Sequence, residues 1–249
     1  MYTIKVKSVF WLLGIASFLG AVSPLSQAQT LAIEPYENRP VLENAIIEER
    51  LDTLLPGLMR ESGIDMWLVI AREYNDDPVF MSLVPKPRFT ARRTTILVFF
   101  DRGGEGVERL TVSRYPLGSL YKAAWEGGDL SAQWARLGEV VRERNPQRIA
   151  INTSDTWPVA DGLSHSLHGK LMSAIGMEFG ERVISSESLV VRWMETRLKS
   201  EVEVWQRAVG IARETIARAF SSEVITPGVT TLGDVSWFIR TRFEEEGLE

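Results

Sequence analysis

Residues 45–71 read AIIEERLDTLLPGLMRESGIDMWLVIA, and this stretch decides the fold. Its first half places apolar residues three and four positions apart, from Ala45 to Met59, which is typical of an amphipathic helix. Gly63 lies where the C-terminal cap of that helix is expected. Residues 66–71 are continuously apolar and too few for a buried helix. They therefore predict a strand that is buried on both faces.

Strand and helix patterns alternate after this point. Buried strands are predicted at residues 94–100 and 148–152, with a short strand at 182–184. The glycine-rich turn at 101–106 leads into the strand-like residues 107–114, which indicates a β-hairpin. Helices are predicted around Trp134 to Val141, ending by Asn145-Pro146, and from Val159 to about Met172. Crossover helices connect parallel strands, so residues 45–193 are predicted to form an α/β domain with a mixed sheet.

The composition excludes several classes of chemistry. The chain has 249 residues, no cysteine, 28 lysines and arginines against 33 acids, and 45% hydrophobic residues. Disulfide frameworks, thiolate metal sites and cysteine nucleophiles are therefore excluded. The net charge of −5 argues against a nucleic acid as the main partner, because phosphate binding needs a basic surface.

The first 28 residues have the features of a secretory signal peptide. Lys5 and Lys7 precede an apolar run at 9–22, and Ser26-Gln27-Ala28 provides small residues at a cleavage site. The alternative is an uncleaved membrane anchor, but the run is shorter than the roughly 20 residues that a membrane helix needs. We expect cleavage after Ala28, export to the periplasm or the medium, no stable membrane anchor, and an irregular lead-in at 29–44.

Asp161, His165 and His168 are the candidate metal ligands. On a helix these residues lie at positions i, i+4 and i+7 and share one face, and imidazole and carboxylate groups both bind divalent ions. The alternative, which the surrounding Gly162 and serines favour, is a polar surface facing solvent. A triad of Asp161, Ser164 and His165 can be written down, but no nucleophile elbow accompanies it.

Three charged or glycine-rich segments have structural interpretations that we favour over functional ones. The turn at 102–106 joins two strands, whereas a phosphate-binding loop joins a strand to a helix. The basic residues between Lys86 and Arg93 could meet an anionic group, but a solvated sheet edge is the favoured interpretation. Glu244 to Glu246 are interpreted as a solvated helix end, since they lack the spacing of a calcium loop.

A different pattern begins near Thr196. One long amphipathic helix is predicted, with its apolar face formed by Val202, Trp205, Val209, Ala212, Ile216, Ala219 and Phe220. Residues 226–228 break it, Thr230 is expected to cap a second helix, and the apolar face of that helix contains Leu232, Val235, Ile239 and Phe243. The two helices either dock on the first domain or begin another one.

The segment at 189–208 resembles the entry to the "pita-bread" catalytic domain of the creatinase, prolidase and aminopeptidase P family. The matching residues are Arg197, Lys199, Ser200, Glu203, Val204, Arg207 and Ala208. Ser200 and Glu203 are expected to form a capping box at the start of the first long helix. Residues 225–230 resemble the family's turn into the second helix, and residues 50–52 and 63–69 resemble the opening of its N-terminal domain.

The resemblance implies an Xaa-Pro aminopeptidase or dipeptidase that acts on peptides, often as a homo-oligomer. In that family two divalent ions (Mn, Co or Zn), held by two Asp, one His and two Glu, activate a water. The family's ligands follow the second helix, so residues 194–249 are expected to be the truncated start of the catalytic domain. No residue of this chain is then assigned a catalytic, cofactor-binding or metal-binding role. The alternative is a non-catalytic binding or assembly protein that kept the fold.

Overall fold

The fold is built around one buried strand, β1 (Met66–Arg72), in a computed structural model that describes residues 37–248. Trp67, Val69 and Ala71 face one side of the sheet, and the alternate residues face the other. Both sides are apolar because both are covered by helices and loops. The continuous apolar run in the sequence follows from this double burial.

Together with β1, the strands of the sheet are β2 (Thr94–Asp101), β3 (Val107–Ser113), β4 (Lys122–Ala123), β5 (Ile149–Ile151) and β6 (Val183–Ser185). These six strands form a mixed sheet in the order β4-β3-β2-β1-β5-β6. β1 pairs antiparallel with β2 and parallel with β5, β2 pairs antiparallel with β3, and β6 is parallel to β5. The predicted strands and the hairpin at 101–106 are confirmed. The two-residue β4 had no sequence signal.

Seven α-helices cover the sheet or follow it within residues 37–248. The helices are α1 (Arg39–Glu49), α2 (Leu55–Glu61), α3 (Leu130–Arg144), α4 (His165–Gly180), α5 (Glu187–Glu195), α6 (Lys199–Ala219) and α7 (Leu232–Glu245). One face of the sheet packs against α1, α2 and α5, and the other against α3 and α4. No helix within this range combines the length and the apolar character that a membrane crossing requires.

The first helix begins earlier than predicted. α1 starts at Arg39 with Pro40 in its first turn, where a missing backbone N–H costs nothing, so residues 39–44 of the expected irregular lead-in are helical. Between α1 and α2, Arg50–Leu54 form a π-helical turn in which the Leu55 amide donates to the Arg50 carbonyl. Residues 1–36, which hold the predicted signal peptide and the rest of the lead-in, lie outside the described part of the chain.

The helix predicted from Val159 begins at His165 instead. Pro158–Ala160 form a short 3-10 turn, and residues 161–164 are irregular. Ser164 occupies the N-cap position of α4. The prediction was wrong because the apolar side chains of this loop fit a helical pattern although neither Ala160 nor Leu163, both buried, belongs to an α-helix.

The caps of the last two helices also differ from the prediction. The N-cap of α7 is Thr231 rather than Thr230: the Thr231 hydroxyl accepts a bond from the Asp234 amide, and the Asp234 carboxylate accepts one from the Thr231 amide at 2.8 Å. At α6 the carboxylate that reaches back is Glu201, which accepts from the Leu198 amide at 2.8 Å, and not Glu203. Ser200 lies inside the first turn, so its hydroxyl is free to donate to Glu49 of α1 at 2.7 Å.

Candidate functional site

Asp161, His165 and His168 do not share a helix face. Asp161 ends the 3-10 turn ahead of α4, and one of its carboxylate oxygens accepts a bond from the Ser154 amide at 3.3 Å. His165 is the first residue of α4 and is exposed, and His168 is half-buried one turn further on. The predicted arrangement was wrong because the helix begins too late to include Asp161. The Ser164 hydroxyl contacts Ser166 rather than a histidine.

The donor set of the described residues does not fit a two-metal centre. Between residues 37 and 248, no group of three or more histidine, aspartate or glutamate side chains is placed to hold an ion. A centre of two Asp, one His and two Glu cannot be assembled from them. We therefore derive no chemical step through a metal from these residues.

The junction between the sheet domain and α6 is organised by Arg50. Its side chain is only 7% exposed, at the point where the π-helical turn begins. The guanidinium forms an ion pair with Glu201 at 2.6 Å, donates to the Thr196 carbonyl at 2.8 Å, and donates to the Trp193 carbonyl. It also lies over the Trp193 ring, 4.3 Å from the ring centre. A buried arginine with these partners fixes how α6 leaves the sheet domain.

Two grooves flank this junction. The α1–α6 groove has a volume of about 540 Å³ and lies between Leu42 and Ile46 of α1 and Trp205 and Ala208 of α6. Arg39 and Gly247 also line it, and the Arg39 guanidinium donates to the Gly247 carbonyl at 2.8 Å. A smaller cleft of about 350 Å³ is lined by residues that include Arg50, Trp193, Arg197 and Trp205. Both volumes fit small ligands or a short segment of chain.

The residues that carry the family resemblance lie at this junction and in the turn after α6. The Arg197 guanidinium donates to the carbonyls of Met194 and Thr196 and stacks over Trp205, with 5.3 Å to the ring centre. In the turn between α6 and α7, the Thr230 hydroxyl accepts from the Thr226 amide at 2.8 Å and donates to the Val224 carbonyl. Gly228 has a φ of 77°, which favours glycine. These roles are structural.

A buried polar network lies at the carboxyl end of β5, beside the middle of β1. The Trp67 indole N–H and the Ser186 hydroxyl donate to Asn152 Oδ1 at 2.7 and 2.6 Å. Because the indole nitrogen can only donate, the Asn152 amide must turn its N–H₂ toward Asp77, where it donates to Oδ2 at 2.8 Å. The Val79 amide donates to Asp77 Oδ1 at 2.9 Å. The direction of every bond in the network is therefore fixed.

Burial raises the pKa of the Asp77 carboxyl from 3.8 to about 6, against the opposing effect of its bonds from Asn152 and Val79. The crevice at the carboxyl ends of the strands holds ligands in many α/β proteins. Here the four linked side chains are all buried and bond to one another. The arrangement therefore holds loop residues 75–79 and 152–162 against the strand ends, and it presents no group to a substrate.

The sequence alone did not indicate that Arg50 organises the junction with α6, or that Asp77 and Asn152 bond to each other. Arg50 was noted only among the residues at 50–52 that resemble the opening of the family's N-terminal domain, and its partners lie more than 140 residues away along the chain. A local signal does exist for Asn152, a polar residue directly after a buried strand. Nothing in the sequence indicates that Asp77 is its partner.

The comparisons with known proteins add a partial similarity. No protein-family model matches the chain, and no curated protein matches it. Among solved structures, an Xaa-Pro dipeptidase from Bacillus anthracis is similar with a TM-score of 0.46 and 17% sequence identity. The match covers 82% of this chain and 49% of the dipeptidase, so the chain spans about half of that protein's length. We transfer no residue role from it.

Proposed function

We propose that this chain is the N-terminal portion of an exported, metal-dependent peptidase of the Xaa-Pro aminopeptidase or dipeptidase type. One observation carries the proposal. The two segments that resemble the creatinase, prolidase and aminopeptidase P family, beginning at Arg197 and at Ile225, lie at the start of α6 and in the turn into α7. These are the places that the resemblance assigns to them, directly after an α/β domain with a mixed sheet.

The exposed surface of α6 and α7 supports this proposal. Trp205 and Phe220 on α6 and its end, and Leu232 and Trp237 on α7, are 53–84% exposed. Large apolar side chains concentrated on two packed helices mark a surface that another element covers. In the proposed protein the remainder of the catalytic domain covers it, and the Arg50–Glu201 ion pair sets the orientation of α6 relative to the sheet domain.

The proposed division of labour leaves bond cleavage to residues outside 37–248. The family's five metal ligands follow the helix that corresponds to α7. The described residues would orient the remainder of the catalytic domain and shape the approach to it. Peptide substrates, the two divalent ions and a homo-oligomeric state belong to the proposal for the whole protein.

The coding sequence downstream of Glu249 tests this directly. An in-frame continuation that encodes two Asp, one His and two Glu ligands is the expected result. An immediate stop codon would instead favour the alternative, a binding or assembly protein with the same fold. For the 249-residue chain we expect no hydrolysis of Xaa-Pro peptides with added manganese. Metal-dependent turnover by the purified 249-residue chain would overturn the proposed division of labour.

A further inference from the structure

A third groove, here called the basic groove, lies between α1 and two loops. It is lined by residues that include Asn44, Ala45 and Glu48 of α1, Lys86 and Arg88 of one loop, and Ser119 of the other. Its volume is about 770 Å³, within the range of about 300–1,000 Å³ that small-molecule sites occupy. It belongs to the sheet face that packs against α1 and not to the face covered by α3 and α4.

The loop that carries the two cations is held in place by α1. The Asn44 side chain accepts a bond from the Lys86 amide at 2.7 Å and donates one to the Lys86 carbonyl at 3.2 Å. This two-point clamp fixes the backbone at Lys86 against α1. The position of the groove's basic wall is therefore set before any ligand arrives, which lowers the entropy that binding must cost.

Among residues 37–248, no carboxylate forms an ion pair with the positive charges on this wall. The Lys86 ammonium donates to the Met81 carbonyl at 3.2 Å and the Arg88 guanidinium to the Pro116 carbonyl at 3.1 Å, and both acceptors are uncharged. Burial lowers the pKa of Arg88, and the positive charge of nearby Arg92 lowers it further. Glu48 lies along the same groove without bonding to either cation.

The remaining walls of the groove are aliphatic. Val41 and Ala45 of α1, Leu120 of the opposite loop and the rings of Pro85 and Pro87 line it. An anion with no apolar part would leave this surface in water, whereas an organic anion would cover it and gain the free energy of apolar burial. A carboxylate also matches the forked geometry of a guanidinium.

We propose that the basic groove binds a small organic carboxylate with an aliphatic body, about the size of an amino-acid derivative. The carboxylate pairs with Arg88 and Lys86, and the aliphatic body lies against α1 and the proline rings. The juxtaposition of an apolar wall with two cations that form no ion pair among residues 37–248 carries the proposal, which stands whether or not the chain belongs to a peptidase.

Three probes separate charge from apolar body: N-acetyl-leucine has both, N-acetyl-leucinamide has only the body, and acetate has only the charge. Inorganic phosphate serves as an anion of different chemistry. Calorimetric titration of the purified protein should show N-acetyl-leucine binding roughly tenfold or more tightly than the other three. Equal binding of phosphate or of the amide, or no binding of any probe at millimolar concentration, would overturn the proposal.

Variants locate the binding. Arg88→Gln should weaken N-acetyl-leucine binding by roughly tenfold or more, because it removes a charge-assisted bond. The matched control is Arg142→Gln, an exposed arginine on α3 at the opposite face of the sheet, which should leave affinity unchanged. Ala45→Trp, at an exposed position of α1, fills the groove without changing its charge and should abolish binding. Unaltered binding by Ala45→Trp, with folding verified by circular dichroism, contradicts the proposed site even if Arg88→Gln is unstable.

Discussion

The Asp77 carboxyl should make the protein less stable as the pH rises from 4 to 8, opposite to the effect of acids held in ion pairs. Burial beside the carboxyl end of β5 raises the pKa of this group from 3.8 to about 6 in the folded state. In the unfolded chain the pKa of this carboxyl returns to its ordinary value of 3.8. Between these two values the folded state binds a proton that the unfolded state does not.

The direction and size of the effect follow from that difference. Well below pH 3.8 the carboxyl is protonated in both states, and its contribution to stability is fully present. That contribution falls as the pH rises and is lost above about pH 6, where both states are ionised and the folded state carries the cost of a buried charge. At about 1.36 kcal/mol for each pH unit, the loss is about 3 kcal/mol.

The measurement is the free energy of unfolding of the wild type and of Asp77→Asn, by urea denaturation at pH values from 4 to 8. In the variant the introduced amide N–H₂ faces either Asn152 or the Val79 amide, both donors, so the substitution carries a fixed cost of about 1–3 kcal/mol. That offset does not depend on pH. The quantity to follow is therefore the wild-type stability minus the variant stability. It should fall by about 2.4 kcal/mol between pH 4 and pH 8, because a small part of the loss occurs below pH 4.

Two outcomes would refute this reasoning. A difference that stays constant across the range would mean that Asp77 does not change its proton affinity on folding. A difference that grows with pH would mean that the bonds from Asn152 and Val79 outweigh burial and hold the pKa below its ordinary value. The same titration followed by the carboxyl carbon resonance of Asp77 distinguishes these two cases from a partner group that titrates instead.

Three further substitutions test other parts of the structure. Gly162→Ala should destabilise the protein by about 3 kcal/mol in thermal or urea unfolding, since a Cβ there would lie closer than 3.0 Å to both carboxylate oxygens of Asp77; unchanged stability would show that the loop moves freely. Arg50→Met should cost about 3 kcal/mol at pH 7 because it leaves the Glu201 carboxylate, only 14% exposed, without its ion-pair partner. The double variant with Glu201→Gln should recover part of that loss, and no recovery would deny the coupling. Thr231→Ala should remove the N-cap of α7 and lower stability by about 1 kcal/mol, with a corresponding loss of helix content by circular dichroism; a wild-type unfolding curve would show that α7 does not depend on this cap.

The sheet was predictable because burial leaves a local mark on the sequence. Each of the strands β1 and β2 is a run of apolar residues buried on both faces, and no partner needs to be known to recognise such a run. The hairpin between β2 and β3 carries its own turn residues. β4 has two exposed residues and pairs with β3 only because the chain returns there, so it leaves no mark.

Helix boundaries were less predictable, because the competing caps differ by single residues. Thr230 and Thr231 are both suitable N-caps by residue type, and the choice falls on Thr231 since Asp234 completes its box while Thr230 bonds back into the preceding turn. At α6 the helix begins early enough that Glu201, and not Glu203, reaches the free amide. These choices depend on where the chain enters the helix, which the preceding fold determines.

The candidate sites were the least predictable part, because the fold brings their residues together from distant parts of the chain. Asp77 and Asn152 are 75 positions apart, and Arg50 and Glu201 are 151 apart. The basic residues near Lys86 show the limit most clearly. As a sequence, four cations beside a strand fit a solvated edge, and that interpretation was the favoured one. The fold adds that Asn44, 42 positions away, clamps Lys86 against α1 and that aliphatic side chains complete a groove around the charge. The same cations can therefore bind an anion rather than only face water, and the Ala45→Trp variant separates the two: a solvated edge would not respond to filling a groove.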